Sequence, residues 1–561
     1  MKMKKLLATL LASSMVLSLA ACGGGNSGNS ETKTPAGETQ AAAETEAASE
    51  TQAGEADSEA SADNSQPEGE IEEGGTFVVS VGGDPSSFNP DYKSDDNLWP
   101  IAQNMYNRLF KLTADSKIVP DLATSYEFSE DGKTLTCHLA EGVKWHDGEP
   151  FTSEDVKWTY DTAIEQNWFK ATSLSSVESI ECPDENTVVF NLKAADVTIV
   201  SKLGWYGTFI LPKHLYEGQD PATCDAALKN PVGTGPFKFE SYETGVGVTL
   251  VRNDDFWGDK PHLDKVIFAV YADPDSAYQA FLNGEVDYLG TGVPTANVGE
   301  LDEDENYRVF NALWINRTYI TFNFADPDFG KPEVRKAVQL AVDRQGIFDR
   351  VGGAGARSDT YVSPLLTDYV DETYVQPERN VEEAMKLMEE AGYTKDADGY
   401  YLHATMDVFE SGNFGDMAQI IKANLAEAGI DLTINMMEYA AWVEKVNQNH
   451  NFTITMLAGY QGPDVSELAG RIRTGESSNV GGYSNARVDE LFALSDSESD
   501  TAKRAEYYSE IQKIMSEEVP MVLLLDNGTK FPVPNNIVGS PYDVTDKCAS
   551  EEFTYVGFLA Q

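Results

Sequence analysis

The alternation of apolar and polar residues predicts mostly strands in the first half of the chain. Thr76–Val81 is an apolar run typical of a buried strand, and a turn-rich segment follows it. In the segment 133–139, Leu135, Cys137 and Leu139 alternate with polar residues, as in a strand with one buried face. Further strands are predicted at 186–192, 247–253 and 266–271.

The pattern changes to helical spacing from Pro332 onwards. Proline suits the first turn of a helix, and a stripe of apolar residues then recurs at Val334, Ala337, Val338 and Ala341. Two more helices are predicted to end at Gly392 and Gly429, and the second leads into a strand over 430–438. The segment 504–528 repeats helix and then strand. Strands followed by alternating helices and strands favour two α/β lobes over a single sheet.

The N-terminus has the features of a secretory signal. Lys2, Lys4 and Lys5 precede the apolar run 6–21, which is too short for a comfortable membrane span, and small residues precede Cys22. One interpretation is an ordinary signal peptide with an incidental cysteine. The other is based on a resemblance to the lipobox of bacterial lipoproteins, which implies cleavage before Cys22 and a lipid on that residue.

Residues 22–74 are rich in Ala, Gly, Ser and Glu and contain one Lys. Such a segment buries too little apolar surface to offset its ordering entropy, so we predict an extended acidic tether to a body that begins near Gly75.

The composition narrows the class of partner. The chain of 561 residues carries a formal net charge of −51, which argues against binding to nucleic acid or to anionic lipid. Four cysteines lie beyond Cys22, too few and too scattered for a disulfide scaffold: Cys137, Cys182, Cys224 and Cys548. One bridge is possible outside the cell, and Cys137 with Cys182 is the pairing that we favour.

Common catalytic and cofactor motifs are absent from the sequence, including the P-loop, H-E-x-x-H, C-x-x-C and G-x-S-x-G. "GGAGAR" (352–357) lacks the third glycine of a dinucleotide motif and is predicted to be a loop. "KDADGYY" (395–401) lacks the distant Glu of a calcium loop and is predicted to be a polar turn. The six histidines have no metal-binding spacing, so neither a cofactor nor a resident metal is expected.

The segment "GVKWHDGEPFTSEDV" (142–156) places His146 beside Asp147, which suggests at first a catalytic dyad or a pair of metal ligands. Asp147 and Gly148, however, form a strong turn pair, and Thr152 and Asp155 have the spacing of a helix cap. We therefore predict a strand, a turn and a capped helix here, with no role in catalysis.

The same segment belongs to a longer block, "VPDLATSYEFSEDGKTLTCHLAEGVKWHDGEPFTSEDVKWTYD", and six further blocks follow it along the chain: "NPVGTGPFKFESY", "LVRNDDFWGDKPHLDKVIF", "AFLNGEVDYL", "NRTYITFNFADPDFGKPEVRKAVQLAVDR", "GYSNARVDELF" and "VPMVLLL". In sequence and in order, these blocks resemble solute-binding protein family 5, the substrate-binding lipoproteins of peptide- and nickel-type ATP-binding cassette (ABC) importers. Ala140 stands where a basic residue is common in the family. The blocks cover nearly all of 75–561.

The resemblance implies an α/β fold of the type II periplasmic-binding-protein kind, with two lobes, a hinge of crossing strands, a ligand cleft between the lobes and an extra subdomain inserted in the first lobe. The expected organisation is a signal peptide (1–21), a lipidated cysteine and tether (22–74), lobe I (75–110, 195–315 and 525–561), an inserted subdomain (111–194) and lobe II (316–524).

The resemblance also implies a ligand site. In peptide-binding members, an Asp that follows an aromatic residue pairs with the α-amino group of the ligand. The matching segment here, "AGYQGPD", is shorter than the family pattern. Tyr460 replaces the usual Trp, and Asp464 is the candidate anchor, with an ordinary loop residue as the alternative interpretation.

Further cleft-lining residues are expected by position. Trp442 falls where the family places an aromatic of the cavity, although core packing explains it equally well. Asn323 and Tyr483 are further candidates in the second lobe. The segment 94–97 is expected to face the cleft from the first lobe.

The function implied is that of an extracytoplasmic lipoprotein, a monomer and not an enzyme, that captures di- or oligopeptides by hinge closure. It would deliver them to the permease pair and ATPases of an ABC importer, from the cell surface or the periplasm. The alternatives are an oligosaccharide or a metal chelate as ligand, a chemosensory receptor with the same body, and a secreted hydrolase.

Overall fold

The computed structural model of the protein describes residues 64–205 and 208–560. The predicted signal peptide and Cys22 lie outside these residues. The strands are β1 (Ile71–Glu72), β2 (Thr76–Val81), β3 (Phe110–Leu112), β4 (Ile118–Pro120), β5 (Ala123–Phe128), β6 (Thr134–Leu139), β7 (Val177–Asp184), β8 (Thr187–Leu192), β9 (Phe237–Glu243), β10 (Gly247–Arg252), β11 (Lys265–Val270), β12 (Tyr288–Leu289), β13 (Tyr307–Phe322), β14 (Ala356–Arg357), β15 (Leu402–Phe409), β16 (Ile430–Met437), β17 (Ile454–Tyr460), β18 (Met521–Pro534), β19 (Ile537–Val538) and β20 (Gly557–Leu559).

The helices are α1 (Trp99–Met105), α2 (Ser153–Glu165), α3 (Ile199–Gly204), α4 (Lys213–Tyr216), α5 (Asp225–Leu228), α6 (Pro274–Leu282), α7 (Pro332–Ala341), α8 (Arg344–Arg350), α9 (Val381–Glu390), α10 (Phe414–Glu427), α11 (Tyr439–Trp442), α12 (Ala469–Ile472), α13 (Ala486–Ser497) and α14 (Thr501–Glu518). Within the described ranges, none of the helices combines the length and the apolar character that crossing a membrane requires.

The first lobe is built on a five-stranded sheet with the order β12-β2-β11-β10-β9. The predicted buried strand at Thr76–Val81 is confirmed as β2, which lies between two parallel neighbours, β11 and β12. Phe77 and Val79 on β2 are fully buried. The apolar run is explained by this central position, because a strand with parallel partners on both sides is normally covered on both faces.

The body begins earlier than the sequence predicted. Ile71 on β1 pairs with Leu559 on β20, and the Asn64 side chain donates a hydrogen bond to the Val309 carbonyl. The last part of the predicted tether therefore packs on the folded body. These few polar residues gain order from strand pairing, which composition alone does not reveal.

A second, antiparallel sheet has the order β5-β6-β8-β7, and its apolar residues join the core of the first lobe. Cys137 on β6 pairs with Val188 on β8, whereas Cys182 lies on β7, on the far side of β8. Two strand spacings amount to about 10 Å, beyond the Cα separation of a disulfide. The favoured Cys137–Cys182 bridge is therefore not formed, and the four described cysteines are free.

The segment 142–156 contains the predicted turn and capped helix, but not the predicted strand, because β6 ends at Leu139 and only an isolated bridge joins Lys144 to Pro150. The Asp155 carboxylate accepts a hydrogen bond from the Thr152 N–H at the start of α2 (2.9 Å). His146 accepts one from the Gly233 N–H at Nδ1 (3.2 Å), and its Nε2 lies 3.0 Å from the Gly235 carbonyl. Burial lowers the pKa of His146 to about 4, so the ring is neutral and holds two loops together.

The second lobe is built on a six-stranded sheet with the order β14-β18-β13-β17-β15-β16. Separate hydrophobic cores cover its two faces, one centred on α7, α9 and α10 and the other on α13 and α14. The helix predicted from Pro332 is confirmed as α7. Gly429 has a φ of +78°, so it ends α10 in the left-handed conformation before β16, as predicted.

The long strands β13 and β18 connect the two lobes. In β13, Phe310 and Ala312 pack against the core of the first lobe, whereas Ile320 and Phe322 belong to a core of the second. The antiparallel pairing of β13 with β18 continues across the junction with a register shift between Leu313 and Arg317. The hinge of crossing strands that the resemblance implied is thus present.

Candidate ligand-binding cleft

The candidate cleft lies at one edge of the second-lobe sheet. The strands β15, β16 and β17 are parallel and end at this edge, at Phe409, Met437 and Tyr460. It is also the edge at which β13 enters from the first lobe, because Asn316 pairs with Tyr460. In open α/β sheets, ligands bind beyond the carboxyl ends of the strands, so this edge is where ligand-binding residues are expected.

The last part of β17 has a free backbone edge within the described structure. On one side β17 pairs with β13 along its whole length, but on the other its pairing with β15 stops at Thr455. The Gln461 N–H donates to the Ile315 carbonyl (2.9 Å), so the alternate residues 456, 458 and 460 direct their backbone groups away from β13. An extended chain could pair with this edge as an added strand.

Tyr460 stands at the end of this edge, with 56% of its surface exposed. Its ring meets that of Trp205, from the first lobe, edge to face at 5.8 Å between centroids. The Arg471 guanidinium donates to the Tyr460 carbonyl (2.6 Å). Partial enclosure between the lobes, with the charges of Asp96 and Glu551, raises the pKa of Tyr460. The predicted segment around Tyr460 therefore does face the first lobe.

Asp464 is held inside the second lobe. Its Oδ1 atom accepts hydrogen bonds from the Arg504 guanidinium (2.7 Å), the Ser466 N–H (2.9 Å) and the Tyr508 hydroxyl (3.3 Å). Both side chains of the Asp464–Arg504 pair are more than nine-tenths buried. Since Arg504 already neutralises the carboxylate, this arrangement does not support the predicted role of Asp464 as an amine anchor.

Trp442 is buried, and its neighbour Tyr439 takes the exposed position. The Trp442 Nε1–H donates to the Thr455 hydroxyl (3.0 Å), while Tyr439 has 60% of its surface exposed and stacks on Trp442 at an interplanar angle of 12°. Of the two interpretations of Trp442, core packing is therefore the one that agrees with the structure. Tyr439 was missed, although its place directly after β16, at the carboxyl end of a parallel strand, was a usable signal.

Asn323 and Tyr483 lie at the opposite edge of the sheet. The Asn323 amide donates to the His450 and Phe452 carbonyls beside the start of β17 (3.0 and 2.9 Å), and Tyr483 is buried with its hydroxyl on Glu518 (2.7 Å). Asn323 follows Asn316 by seven residues of extended chain, about 23 Å. We therefore move both residues out of the candidate site.

The first-lobe wall includes the predicted segment 94–97. The Asp95 carboxylate fixes this segment by accepting from the Ser86 and Asn97 N–H groups (2.6 and 3.0 Å), and the adjacent Asp96 is exposed. Burial and the charge of Asp96 together raise the pKa of Glu551 to about 8. This wall therefore brings two carboxyl groups near Tyr460.

The chemistry of the described residues is that of a binding cleft. Neither in 64–205 nor in 208–560 do three or more His, Cys, Asp or Glu side chains form a group that could hold a metal ion. The neutral His146 is bound to loop backbone atoms and has no nucleophile among its hydrogen-bond partners. Backbone edges, aromatic rings and carboxyl groups favour capture of a solute over its conversion.

Comparison with known proteins identifies the family. Residues 117–477 match the model of bacterial extracellular solute-binding proteins, family 5 (middle). The chain belongs to this family. Members bind solutes outside the cytoplasm for transport and are not enzymes.

The solute-binding relatives differ in their ligands. This chain is 26% identical to the oligopeptide-binding protein AppA of Bacillus subtilis (strain 168), over 97% of each chain. It is 27% identical to heme-binding protein A of Haemophilus influenzae, over 82% of this chain and 88% of that protein. The structure of Bacillus subtilis AppA in complex with a nonapeptide aligns with a TM-score of 0.68 at 26% identity, covering 88% of this chain and all of that one. The expected two-lobed type II fold is thereby confirmed.

Proposed function

We propose that this protein captures peptides in the cleft between its lobes and delivers them to the permease pair and ATPases of an ABC importer. In this proposal it acts as a monomer, anchored to the extracytoplasmic face of the cell membrane by lipid on Cys22. The lobe ranges expected from the sequence are part of the same proposal, with the first lobe extended to include β1.

The free edge of β17 beside Tyr460 is the observation that carries the peptide assignment. A peptide shares its backbone groups with every other peptide, so a strand edge binds many sequences with little dependence on side chains. Ala458 directs its N–H and carbonyl away from β13, and the Tyr460 N–H points the same way, while the Tyr460 carbonyl is bound by Arg471. Tyr460 and Tyr439 provide exposed rings at the same edge of the sheet. Asp96 on the opposite wall is suited to a cationic ligand group, a role first assigned to Asp464, and such a group would also lower the raised pKa of Glu551.

In this proposal, closure of the two lobes retains the bound ligand in the cleft. A ligand that contacts both lobes shifts the equilibrium toward the closed form by its differential affinity for that form. Trp205 and Tyr460 show how closely the two walls approach one another.

Native mass spectrometry of gently purified protein tests the ligand class directly. We expect adducts that denaturation resolves into a mixture of short peptides. The protein stripped of solute should rebind synthetic tri- to pentapeptides with a rise in melting temperature. An adduct that is a sugar, and a melting temperature unmoved by any peptide, would exclude the peptide assignment.

A planar non-peptide ligand is the second candidate, because Tyr439 and Tyr460 offer exposed rings for stacking and one relative carries the name heme-binding protein A. Titration with haem, followed by absorbance, separates the two candidates. A haem complex that persists in competition with the peptide mixture would favour this second function.

A further inference from the structure

The loop 352–355, which belongs to "GGAGAR", leaves the second lobe and returns to it. It begins after α8, where Val351 packs in a second-lobe core, and it ends at β14, which pairs with Leu525 and Asp526 on β18. Between these points it approaches the first lobe, since a Cβ on Gly352 would lie 3.2 Å from the Thr295 carbonyl. The loop thus contacts both lobes.

Asn311 binds this loop through both ends of its side-chain amide. Its Nδ2 donates to the Gly355 carbonyl (2.7 Å), and its Oδ1 accepts from the Gly355 N–H (2.8 Å). Asn311 lies in the first-lobe half of β13, between Phe310 and Ala312, which pack against the first-lobe core. Two reciprocal hydrogen bonds therefore connect a first-lobe strand to a second-lobe loop.

The contact requires glycine on both sides. Gly355 has a φ of +80°, and a Cβ there would lie 2.4 Å from the Asp526 carbonyl. A Cβ on Gly528 would lie 2.3 Å from the Ala312 carbonyl and 2.8 Å from the Gly355 Cα atom. No side chain fits at either position, so close backbone packing explains Gly355 of "GGAGAR", while a φ of +70° explains Gly353.

The two bonds span the point at which the strand pair is interrupted. The register of β13 on β18 passes from Leu313 opposite Gly528 to Arg317 opposite Asp526, so β13 has two extra residues there. Trp314, in this bulge, is 40% exposed. Asn311 lies before the bulge, and Gly355 packs beside the bulge against both Asp526 and Gly528 of β18. Because Gly355 leads into β14, which pairs with Asp526 beyond the bulge, we expect rotation of the lobes about the bulge to move Asn311 relative to Gly355.

We propose that the loop 352–355 is a hinge brace that stabilises the closed arrangement of the lobes. The lobes are in contact in this structure, through Trp205 with Tyr460 and through a hydrogen bond from the Val197 N–H to the Asp496 carbonyl (2.9 Å). Opening separates Asn311 from Gly355 and loses both hydrogen bonds. The brace raises affinity for any ligand of the closed form without touching it.

Two variants test the brace, with a matched control. Asn311→Ala removes both hydrogen bonds, and Asn311→Asp replaces the donor with an oxygen that faces the Gly355 carbonyl. Asn191→Ala is the control, since it removes two side-chain amide bonds, to Ser179 and Glu181, on the inserted sheet. All three are compared with the wild type after removal of bound solute.

Small-angle scattering and hydrogen exchange provide readouts that do not depend on the ligand class. We expect a larger radius of gyration and faster exchange around 353–357 in both Asn311 variants, with Asn191→Ala matching the wild type. The affinity for a peptide or for haem, whichever binds, should fall about thirtyfold in Asn311→Ala, which corresponds to about 2 kcal/mol for the two lost hydrogen bonds.

A melting temperature near that of the wild type establishes that the variants are folded; if Asn311→Ala is not, Asn311→Asp alone is used. A scattering curve identical to that of the wild type overturns the proposal, even if exchange increases, because the contact is then only local. Absence of ligand binding in every protein would contradict the proposed function but leave the scattering result valid.

Discussion

At the scale of single residues, the Asp464–Arg504 pair shows how a sequence motif can be used for folding instead of binding. Arg504 also donates to the Tyr369 hydroxyl and the Ser495 carbonyl, so every end of its guanidinium is held within the second lobe. An acidic residue in a loop near the cleft is ambiguous in sequence, because its partner lies forty residues away along the chain.

Replacing Asp464 by Ala should destabilise the protein by about 3 kcal/mol, because it leaves the Arg504 charge buried without its partner. Urea unfolding measures the loss. Asp416→Ala is the control: its partner Arg350 is more than half exposed, and the expected change is below about 1 kcal/mol. A stable Asp464→Ala protein that no longer binds peptides would instead restore the amine-anchor role.

His403, on the surface of the second lobe, should make the stability of the protein depend on pH. Its two ring nitrogens lie 2.7 and 2.9 Å from the Asp396 and Asp431 carboxylates, and hydrogen bonds to them raise the pKa of His403. A raised folded-state pKa contributes stability that is full below the unfolded pKa of about 6.5 and is lost as the pH rises through the folded value.

The wild type should therefore exceed His403→Gln in unfolding free energy by more at pH 5.5 than at pH 9. Thermal melting of both proteins across this range measures the difference. If the difference in unfolding free energy is the same at pH 5.5 and at pH 9, the imidazolium contributes no stability at this exposed site.

At the scale of elements, the first part of β17 is an interior strand of the sheet, and its last part is a free edge proposed to bind the ligand. It stays paired with β13 throughout, but it leaves β15 after Thr455, where the Trp442 indole and the Thr455 hydroxyl form their hydrogen bond. The same strand thus supplies buried residues to a core at Ile454 and Met456, and an exposed ring at Tyr460.

Ala458→Pro tests the edge because it removes one N–H that points away from β13 and leaves the hydrogen bonds to β13 in place. We expect peptide affinity to fall about tenfold, with little change in haem binding, because a backbone hydrogen bond to the ligand is lost. Isothermal titration measures both. Ala458→Ser keeps the N–H and should bind as the wild type does; equal peptide affinity in the Pro variant would exclude strand addition at residue 458.

At the scale of the whole molecule, the net charge of −51 sets how ligands approach. A field of one sign accelerates the association of ligands of the opposite charge, and salt screens it. Asp96 places the same sign of charge on the first-lobe wall of the cleft, whereas Glu551, with a pKa raised to about 8, is mostly protonated at neutral pH.

A peptide with Lys should consequently associate faster than a peptide of equal length with Glu, and the ratio should approach one at about 1 M salt. Stopped-flow fluorescence at low and high salt measures the two rates. Equal rates at low salt would mean that the field does not reach the cleft.

The sequence by itself determined the local structure and the family. Periodicity located β2, α7 and the β16 strand, glycine ended α10 at Gly429, and the motif blocks gave the two-lobed fold, because each of these signals depends on neighbours along the chain. The prediction that His146 has no role in catalysis also followed from its neighbours along the chain.

The tertiary structure decided which side chains are available to a ligand. Only the sheet order puts Asn323 and Tyr483 at the far edge, separates Cys137 from Cys182 by a strand, and buries Trp442 beneath Tyr439. Only the three-dimensional packing brings Asp464 into contact with Arg504, and Gly355 into contact with Asn311. The physical reason is that a carboxylate, ring or amide interacts with the groups nearest to it in space. The folding of distant segments against each other determines which groups those are.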